Sequence, residues 1–468
     1  MQQSLRRRSR LGPDRPGSRT VFGTRRRIGI CGAKPARGVR ALSQKLVLRG
    51  NRPLKGTIRA QGAKNAALPV MASALLLNGG TLELSRVPDL HDIQTMSDLL
   101  RNLGADVRFS QGQMRILTPE ELDWATPPAL VRKMRASSLV LGPLLARCHR
   151  AVLPLPGGCA IGSRPIDLHL KGLAKMGAEI RLEHGSVHAE AKRLKGARIY
   201  LDFPSVGATE NLLMAAVLAE GETVIENAAR EPEISNLAEA LVRMGGQIEG
   251  QGTGTIRVRG VETLHGTDIQ IIPDRIEAST YILAGVVTGG DVTVTGMEPE
   301  HLEALLAKLE EAGTRLSVGK DSVRTLPGGT LSAVSLKTLP YPGFPTDLQP
   351  QIMAALCLAK GTSVIQERVF ESRFLHVSEL KRMGCQIELQ GDTAIITGVE
   401  HLTGAEVRAT DLRAGAALVL AGLAASGYTC IYQMGHILRG YEMMVEKLQC
   451  LGGEAETVPC DENEGPKF

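Results

Sequence analysis

Two apolar patterns alternate along the chain. In the first, an amphipathic helix runs up to a glycine and then into a strand-like segment, as in DLLRNLGADV, ALVRMGGQIEG and ELKRMGCQIEL. The glycines are Gly104, Gly177, Gly245, Gly313, Gly384 and Gly452. They recur roughly every 70 residues, too regularly for chance and too far apart for a heptad or solenoid period. A glycine there is expected to end each helix, because it takes a positive φ without a Cβ clash. In the second pattern, an almost wholly apolar helix runs through a Gly-containing turn into a strand. Its copies start near Ala66, Ser138, Glu210, Ser279, Gln351 and Ala414, and ENLLMAAVLAEGETVIEN is one of them. A helix with no polar face must be buried on all sides.

The chain therefore reads as six repeated units of about 70 residues, each with one buried helix, one surface helix and several short strands. Six buried helices cannot share one small core, so two groups of three are expected, at about 65–270 and 272–457. The segment KLVLRGNRPLKGTIRA reads as two strands joined by a turn. Residues 44–64 are assigned with it to the second lobe, and 458–468 are left as a flexible tail. Two lobes joined by two crossings enclose a cleft that can close. GQGTGTIRV at 250–258 looks like a dinucleotide loop but lacks a following helix, so it reads as a hairpin turn.

Composition changes this picture little. Aromatics are 3% of 468 residues, so the cores must be aliphatic. The formal charge of +6 is misleading: residues 1–43 hold twelve Arg and Lys and one acid, so the rest of the chain carries a net negative charge. A mildly acidic fold argues against nucleic acid as a partner. Residues 1–43 read as a disordered basic tail or an over-extended start, with a plastid or mitochondrial transit peptide as the alternative. The eight cysteines form no CxxC pair, so zinc and disulfide frameworks are not expected. Of these, Cys148, Cys357, Cys385 and Cys430 read as buried apolar residues. The uncharged run Ala414–Leu438 contains four glycines and reads as a helix of about 12 residues and a strand, not a membrane span.

Several residues stand where chemistry is expected. In GAKNAALPV, Lys64 and Asn65 precede an apolar helix, a place where an anion can sit. In PGGCAIGSRPIDLH, Cys159 lies among glycines on a loop, where a thiol near cations can titrate close to neutrality. Arg135 opens the second apolar helix, where the helix dipole disfavours a cation unless an anion joins it. Asp347, in FPTDLQPQ, reads locally as a helix N-cap. Asp274, Arg275 and Glu277 read as structural groups stitching the lobes.

The order and number of units over about residues 45–457, with these motifs, resemble the enolpyruvyl transferase family. That resemblance implies a two-domain inverted α/β barrel and an enzyme with no cofactor and no metal. It implies phosphoenolpyruvate as donor. The Lys64-Asn65 pair and the PGGC loop are similar to the branch whose acceptor is the 3′-hydroxyl of UDP-N-acetylglucosamine, in peptidoglycan precursor synthesis in the cytoplasm. A shikimate 3-phosphate enzyme would be expected to carry Lys-Ser at the first helix and to lack that loop.

By the same resemblance Lys64 binds phosphoenolpyruvate and Asn65 the sugar nucleotide. Cys159 is the general acid on the enol carbon, and Arg164 contacts both substrates. Pro165, Ile166, Asp167 and Leu168 wrap the uridine; Ser205, Val206 and Gly207 bind the diphosphate and uridine. Arg135, Val369 and Arg373 are further substrate contacts. Asp347 is the candidate general base, with Asp411, Arg413 and Arg439 completing the catalytic set. Phe203 stands where the family sometimes has a Lys, and Leu438 where it often has an acid.

Overall fold

The structure, a computed structural model, describes residues 43–155, 166–461 and 465–466. Six surface helices end at the six repeat glycines, whose φ values are 106°, 94°, 103°, 80°, 95° and 81°. These helices are His91–Asn102, Asp167–Lys175, Pro232–Arg243, Glu303–Glu311, Val377–Arg382 and Met444–Cys450. The interleaved apolar segments form the core helices Lys64–Ser73, Leu141–Cys148, Val206–Ala216, Arg275–Val287, Gln349–Leu356 and Leu412–Ala424. The second and fifth are entered through the 3-10 turns Arg135–Val140 and Thr346–Leu348. The sixth is followed by the strand Tyr428–Tyr432, and among the described residues no helix is long and apolar enough to cross a membrane.

Each unit adds a small sheet with one plan. The strand after the core helix pairs antiparallel with one arm of a hairpin that follows the surface helix. In the first unit Gly80–Ser85 pairs with Gln113–Thr118, which pairs with Asp106–Ser110. In the third, Gln247–Glu249 and Thr255–Arg259 form the hairpin expected at GQGTGTIRV. A parallel edge strand completes most sheets. For the first it is Thr267–Gln270, from the end of the third unit, so the first group closes on itself.

The N-terminal strands complete the second group differently. Ser43–Arg49 inserts between Tyr428–Tyr432 and Glu454–Cys460 as the middle strand of the sixth sheet. Lys55–Arg59 runs parallel to Asp291–Thr295 at the edge of the fourth. The two strands read from KLVLRGNRPLKGTIRA therefore exist but join different sheets. The C-terminal strand runs to Cys460, past the boundary read at 457, because Ser43–Lys45 pair with its last three residues.

Two hydrophobic cores result. One gathers apolar side chains from Ala63 to Ile271. The other gathers those from Leu46 to Ala60 and from Ile276 to Ala455. Both are almost wholly aliphatic, in keeping with the scarcity of aromatics. Cys357 and Cys385 are buried as expected, whereas Cys148 and Cys430 are half-buried.

The chain crosses between the two cores at 60–64 and 271–274, and the crossings are bonded together. Ala63 N–H donates to the Ile272 carbonyl at 2.7 Å, and Asp274 N–H to the Gln61 carbonyl at 2.9 Å. Gly62 is required here: a Cβ would lie 1.7 Å from the Arg86 carbonyl oxygen.

Candidate active site

Several core helices begin at the junction of the two lobes, so their N-termini and the side chains around them converge there. Lys64 opens the first core helix, is 8% exposed and donates to Asp92 Oδ2 at 2.9 Å. Asp92, in the first turn of His91–Asn102, also accepts from Arg439 Nε at 2.9 Å. Burial pulls the Lys64 pKa below its ordinary value; Asp92 opposes this, and the charges of Arg413 and Arg439 reinforce it. Burial would raise the Asp92 pKa, but Lys64 and Arg439 hold it below the usual carboxylate range. Asn65 follows Lys64 and is exposed.

Asp347 does not cap the fifth core helix; the residue ahead of its 3-10 turn is Pro345. Its carboxylate lies between two buried guanidiniums. Arg373 donates to Oδ1 at 3.0 Å, and Arg413 donates to Oδ2 through Nη2 at 3.0 Å and Nε at 3.2 Å. Burial alone would lower the Arg413 pKa; Asp347, with Tyr441 and Asp274, outweighs it and holds it above the usual value. Arg373 is 2% exposed, and its Nε has no acceptor among the described residues.

The capping role falls to Asp411, which accepts from Arg413 N–H at 2.9 Å and Ala414 N–H at 3.1 Å. It thereby fixes the helix start that carries Arg413. Tyr441 ties the three second-lobe core helices together. Its hydroxyl is 2.9 Å from Thr280 Oγ1 and accepts from Gln351 at 3.3 Å and Arg413 Nη1 at 3.5 Å.

A second group of expected residues lines the first lobe. Ser205 caps the third core helix, its hydroxyl accepting from Ala208 N–H at 3.3 Å. Ile166 is buried, Leu168 half-buried and Asp167 exposed at the start of Asp167–Lys175. That helix packs on the third core helix through His169, whose Nδ1 is 3.0 Å from Asn211 Nδ2. A Cβ on Gly207 would come within 3.1 Å of the His169 ring, so the absence of a side chain lets Ser205–Gly207 approach Ile166–His169. Burial, with Arg135 nearby, lowers the His169 pKa to about 4. Arg135 itself is half-buried in the 3-10 turn. Phe203 is 42% exposed beside this group.

Val369 is half-buried and stands with Arg373 on the second-lobe side. Its N–H donates to Glu367 Oε1 at 2.8 Å. Glu367 also accepts from Thr338 at 2.7 Å and Thr346 at 3.0 Å, so one carboxylate anchors both the Val369 loop and the turn carrying Asp347. Cys159, Arg164 and Pro165 lie outside the described residues.

Sequence reasoning missed Asp92, Glu367 and Tyr441. Asp92 reads as an ordinary acid in a first helical turn, and its burial was the one property that could have marked it. Arg275, read as a lobe stitch, donates to Glu233 of Pro232–Arg243 at 3.0 and 3.3 Å. Among the described residues no three His, Cys, Asp or Glu side chains gather as a metal-ligand set.

Residues 48–448 match the EPSP synthase (3-phosphoshikimate 1-carboxyvinyltransferase) family. UDP-N-acetylglucosamine 1-carboxyvinyltransferase 2 of Carboxydothermus hydrogenoformans is 55% identical over 417 residues, covering 89% of this chain and 99% of its own length. UDP-N-acetylglucosamine 1-carboxyvinyltransferase 1 of Caldanaerobacter subterraneus subsp. tengcongensis is 53% identical over 413 residues, covering 88% and 99%. The enolpyruvyl transferase NikO from Streptomyces tendae superposes with a TM-score of 0.81 at 27% identity, over 90% of this chain and all of that one. An EPSP synthase from Acinetobacter baumannii shares the fold, with a TM-score of 0.70 at 20% identity over 89% of this chain and all of that one. With most of its length matched and relatives at 55% and 53% identity, the chain belongs to the EPSP synthase family of carboxyvinyl transferases.

Proposed function

We propose that this protein transfers the enolpyruvyl group of phosphoenolpyruvate to the 3′-hydroxyl of UDP-N-acetylglucosamine and releases phosphate. The reading places it at the first step of peptidoglycan precursor synthesis, in the cytoplasm, where the nucleotide sugar is available. The observation that carries it is that Lys64 of one lobe and Arg439 of the other meet at Asp92, each 2.9 Å from its carboxylate, with the charge of Arg413 also acting on Lys64. A donor with a phosphate and a carboxylate needs several fixed cations, and buried ones bind it more strongly than exposed ones. The relatives at 55% and 53% identity support the acceptor by their names.

In this reading Cys159 delivers a proton to the methylene carbon of the enol. The sugar hydroxyl bonds to the adjacent carbon and gives its proton toward Asp347. The tetrahedral adduct then loses a proton from the new methyl group, the carbon–oxygen bond to phosphate breaks, and inorganic phosphate leaves. Lys64, Arg164, Arg413 and Arg439 balance the charge, with Arg373 orienting Asp347. Asn65, Arg135, Ile166–Leu168, Ser205–Gly207 and Val369 hold the sugar nucleotide.

Phosphate release from phosphoenolpyruvate, measured with UDP-N-acetylglucosamine and with shikimate 3-phosphate, tests the reading. Turnover is expected with the first acceptor and not the second. The reverse preference would overturn the acceptor assignment while leaving the family unchanged.

A further inference from the structure

Asp92 occupies the place between two cations that belong to different lobes. Its Oδ2 is 2.9 Å from Lys64 Nζ and 3.4 Å from Arg439 Nη2; its Oδ1 is 2.9 Å from Arg439 Nε. Lys64 and Asp92 belong to the first lobe, and Arg439 ends the second-lobe turn Met434–Arg439. The side chains of Lys64 and Asp92 are 10% and 7% exposed, and that of Arg439 is 39% exposed. An acid that merely complemented the helix dipole would gain as much on the solvent face of His91–Asn102. Asp92 is turned inward instead.

The anchoring around this carboxylate is specific. Gln61, three residues before Lys64, donates through Nε2 to the Gly440 carbonyl at 3.0 Å and accepts Glu442 N–H at 2.9 Å. The chain that follows Arg439 is thus held to the crossing that leads into Lys64. Three charged groups act on Lys64: Asp92, Arg413 and Arg439. Two of them share its sign, so without Asp92 a buried ammonium would face two guanidiniums.

We propose that Asp92 is a positioning residue that fills the anion place of the cleft before substrate binds, holding Lys64 and Arg439 together until a substrate phosphate or carboxylate takes over those contacts. This rests on the reading that Lys64 and Arg439 hold phosphoenolpyruvate. The carboxylate preorganises both cations at the substrate's spacing, so their desolvation is met before binding. It also links the lobes electrostatically, so a change of anion in the cleft is felt by both.

The test is Asp92→Asn, with Asp92→Glu as the charge-retaining control, in the full chain. KM for phosphoenolpyruvate and kcat are measured from pH 6 to 9 by phosphate release, with folding checked by circular dichroism. With the carboxylate gone, burial and the two guanidiniums shift Lys64 toward the neutral amine, which cannot pair with the donor. KM in Asp92→Asn should begin to climb at least about one pH unit lower than in wild type, giving about tenfold weaker apparent affinity in that range. At saturating donor kcat should change less than KM, and Asp92→Glu should move the profile back. A KM–pH profile parallel to wild type would overturn the proposal, since a purely structural role alters the active fraction and not the pH dependence. If wild type gives no turnover, the proposed function fails by itself. The Asp92 inference is then decided by small-angle scattering of the ligand-free protein with Arg439→Gln, a substitution at a partly exposed site. A larger radius of gyration than wild type supports the link between lobes, and an equal radius overturns it.

Discussion

Asp347→Asn separates the counter-ion role that the geometry gives this carboxylate from the proton-accepting role proposed for it. The amide keeps the shape and one acceptor oxygen but removes the charge, and its NH2 group must face a guanidinium. Asp347 contacts Arg373 at 3.0 Å and Arg413 at 3.0 Å, and those side chains are 2% and 5% exposed. Removing one partner of a buried ion pair costs about 3–5 kcal/mol, because the other charge is left uncompensated. Asp347 is itself 28% exposed, so water reaches the site and the lower end applies, about 3 kcal/mol. A chain of this size with stability on the order of 5–15 kcal/mol remains folded after such a loss. Any fall in turnover in the folded variant is therefore chemical. If Asp347 accepts the proton of the attacking hydroxyl, kcat should drop by about 10²–10⁴-fold. KM for phosphoenolpyruvate should not rise, because both arginines lose a competing anion. Urea unfolding followed by circular dichroism reads the first effect, and phosphate release reads the second. Turnover within about threefold of wild type would refute the proton role. An unchanged unfolding midpoint would refute the counter-ion argument.

The other predictions follow from single features. His169 and His376 are buried, and burial holds each pKa at about 4, from an ordinary 6.5. Both are bases with depressed folded pKa values, so the stability they contribute is full above pH 6.5 and is lost as pH falls toward 4. Over that span each amounts to about 3 kcal/mol, and His376→Gln should flatten the stability–pH slope in that window; an unchanged slope counts against the assignment. Cys159→Ala should lose on the order of a hundredfold or more in pre-steady-state phosphate release, whereas Cys159→Asp keeps a transferable proton, retains substantial turnover and escapes thiol-alkylating epoxides such as fosfomycin. Equal turnover in wild type and Cys159→Ala would demote the thiol to a bystander. Removing residues 1–42, which stops short of the strand beginning at Ser43, should leave kcat and KM within about threefold; loss of activity with retained folding would show a role for the basic segment.

Local order was legible in the sequence because it is encoded locally. Apolar residues at helical spacing and a glycine at each helix end marked Gly104 through Gly452, and those glycines adopt the left-handed conformation their positions require. The hairpin at 250–258 and the helix–turn–strand at 412–432 were likewise written in short-range spacing. Lys64 and Arg135 could be singled out because each stands where an apolar helix begins, whereas Arg413 came only with the family resemblance.

What only the tertiary structure decided is which groups meet. Asp347 read locally as a cap and, by resemblance, as the general base, and the same resemblance put Asp411 in the catalytic set; the fold sets the Asp347 carboxylate between two arginines and the Asp411 carboxylate on the helix N-terminus. No local feature distinguishes them, since both are acids beside a core-helix start. The decisive contacts join residues far apart: Asp92 with Arg439 is 347 positions along the chain, and Arg413 with Asp347 is 66. The strands Ser43–Arg49 and Lys55–Arg59 read as two strands joined by a turn, and nothing in that segment says which sheets they enter. They part to fill different sheets because the sixth sheet needs a middle strand and the fourth an edge, a demand set by partners in distant parts of the sequence, Tyr428–Tyr432 and Asp291–Thr295. Periodicity and backbone preference act over a few residues and can be read in sequence. Charge pairing across a cleft depends on closing very long loops, and only the folded chain fixes which closures are made.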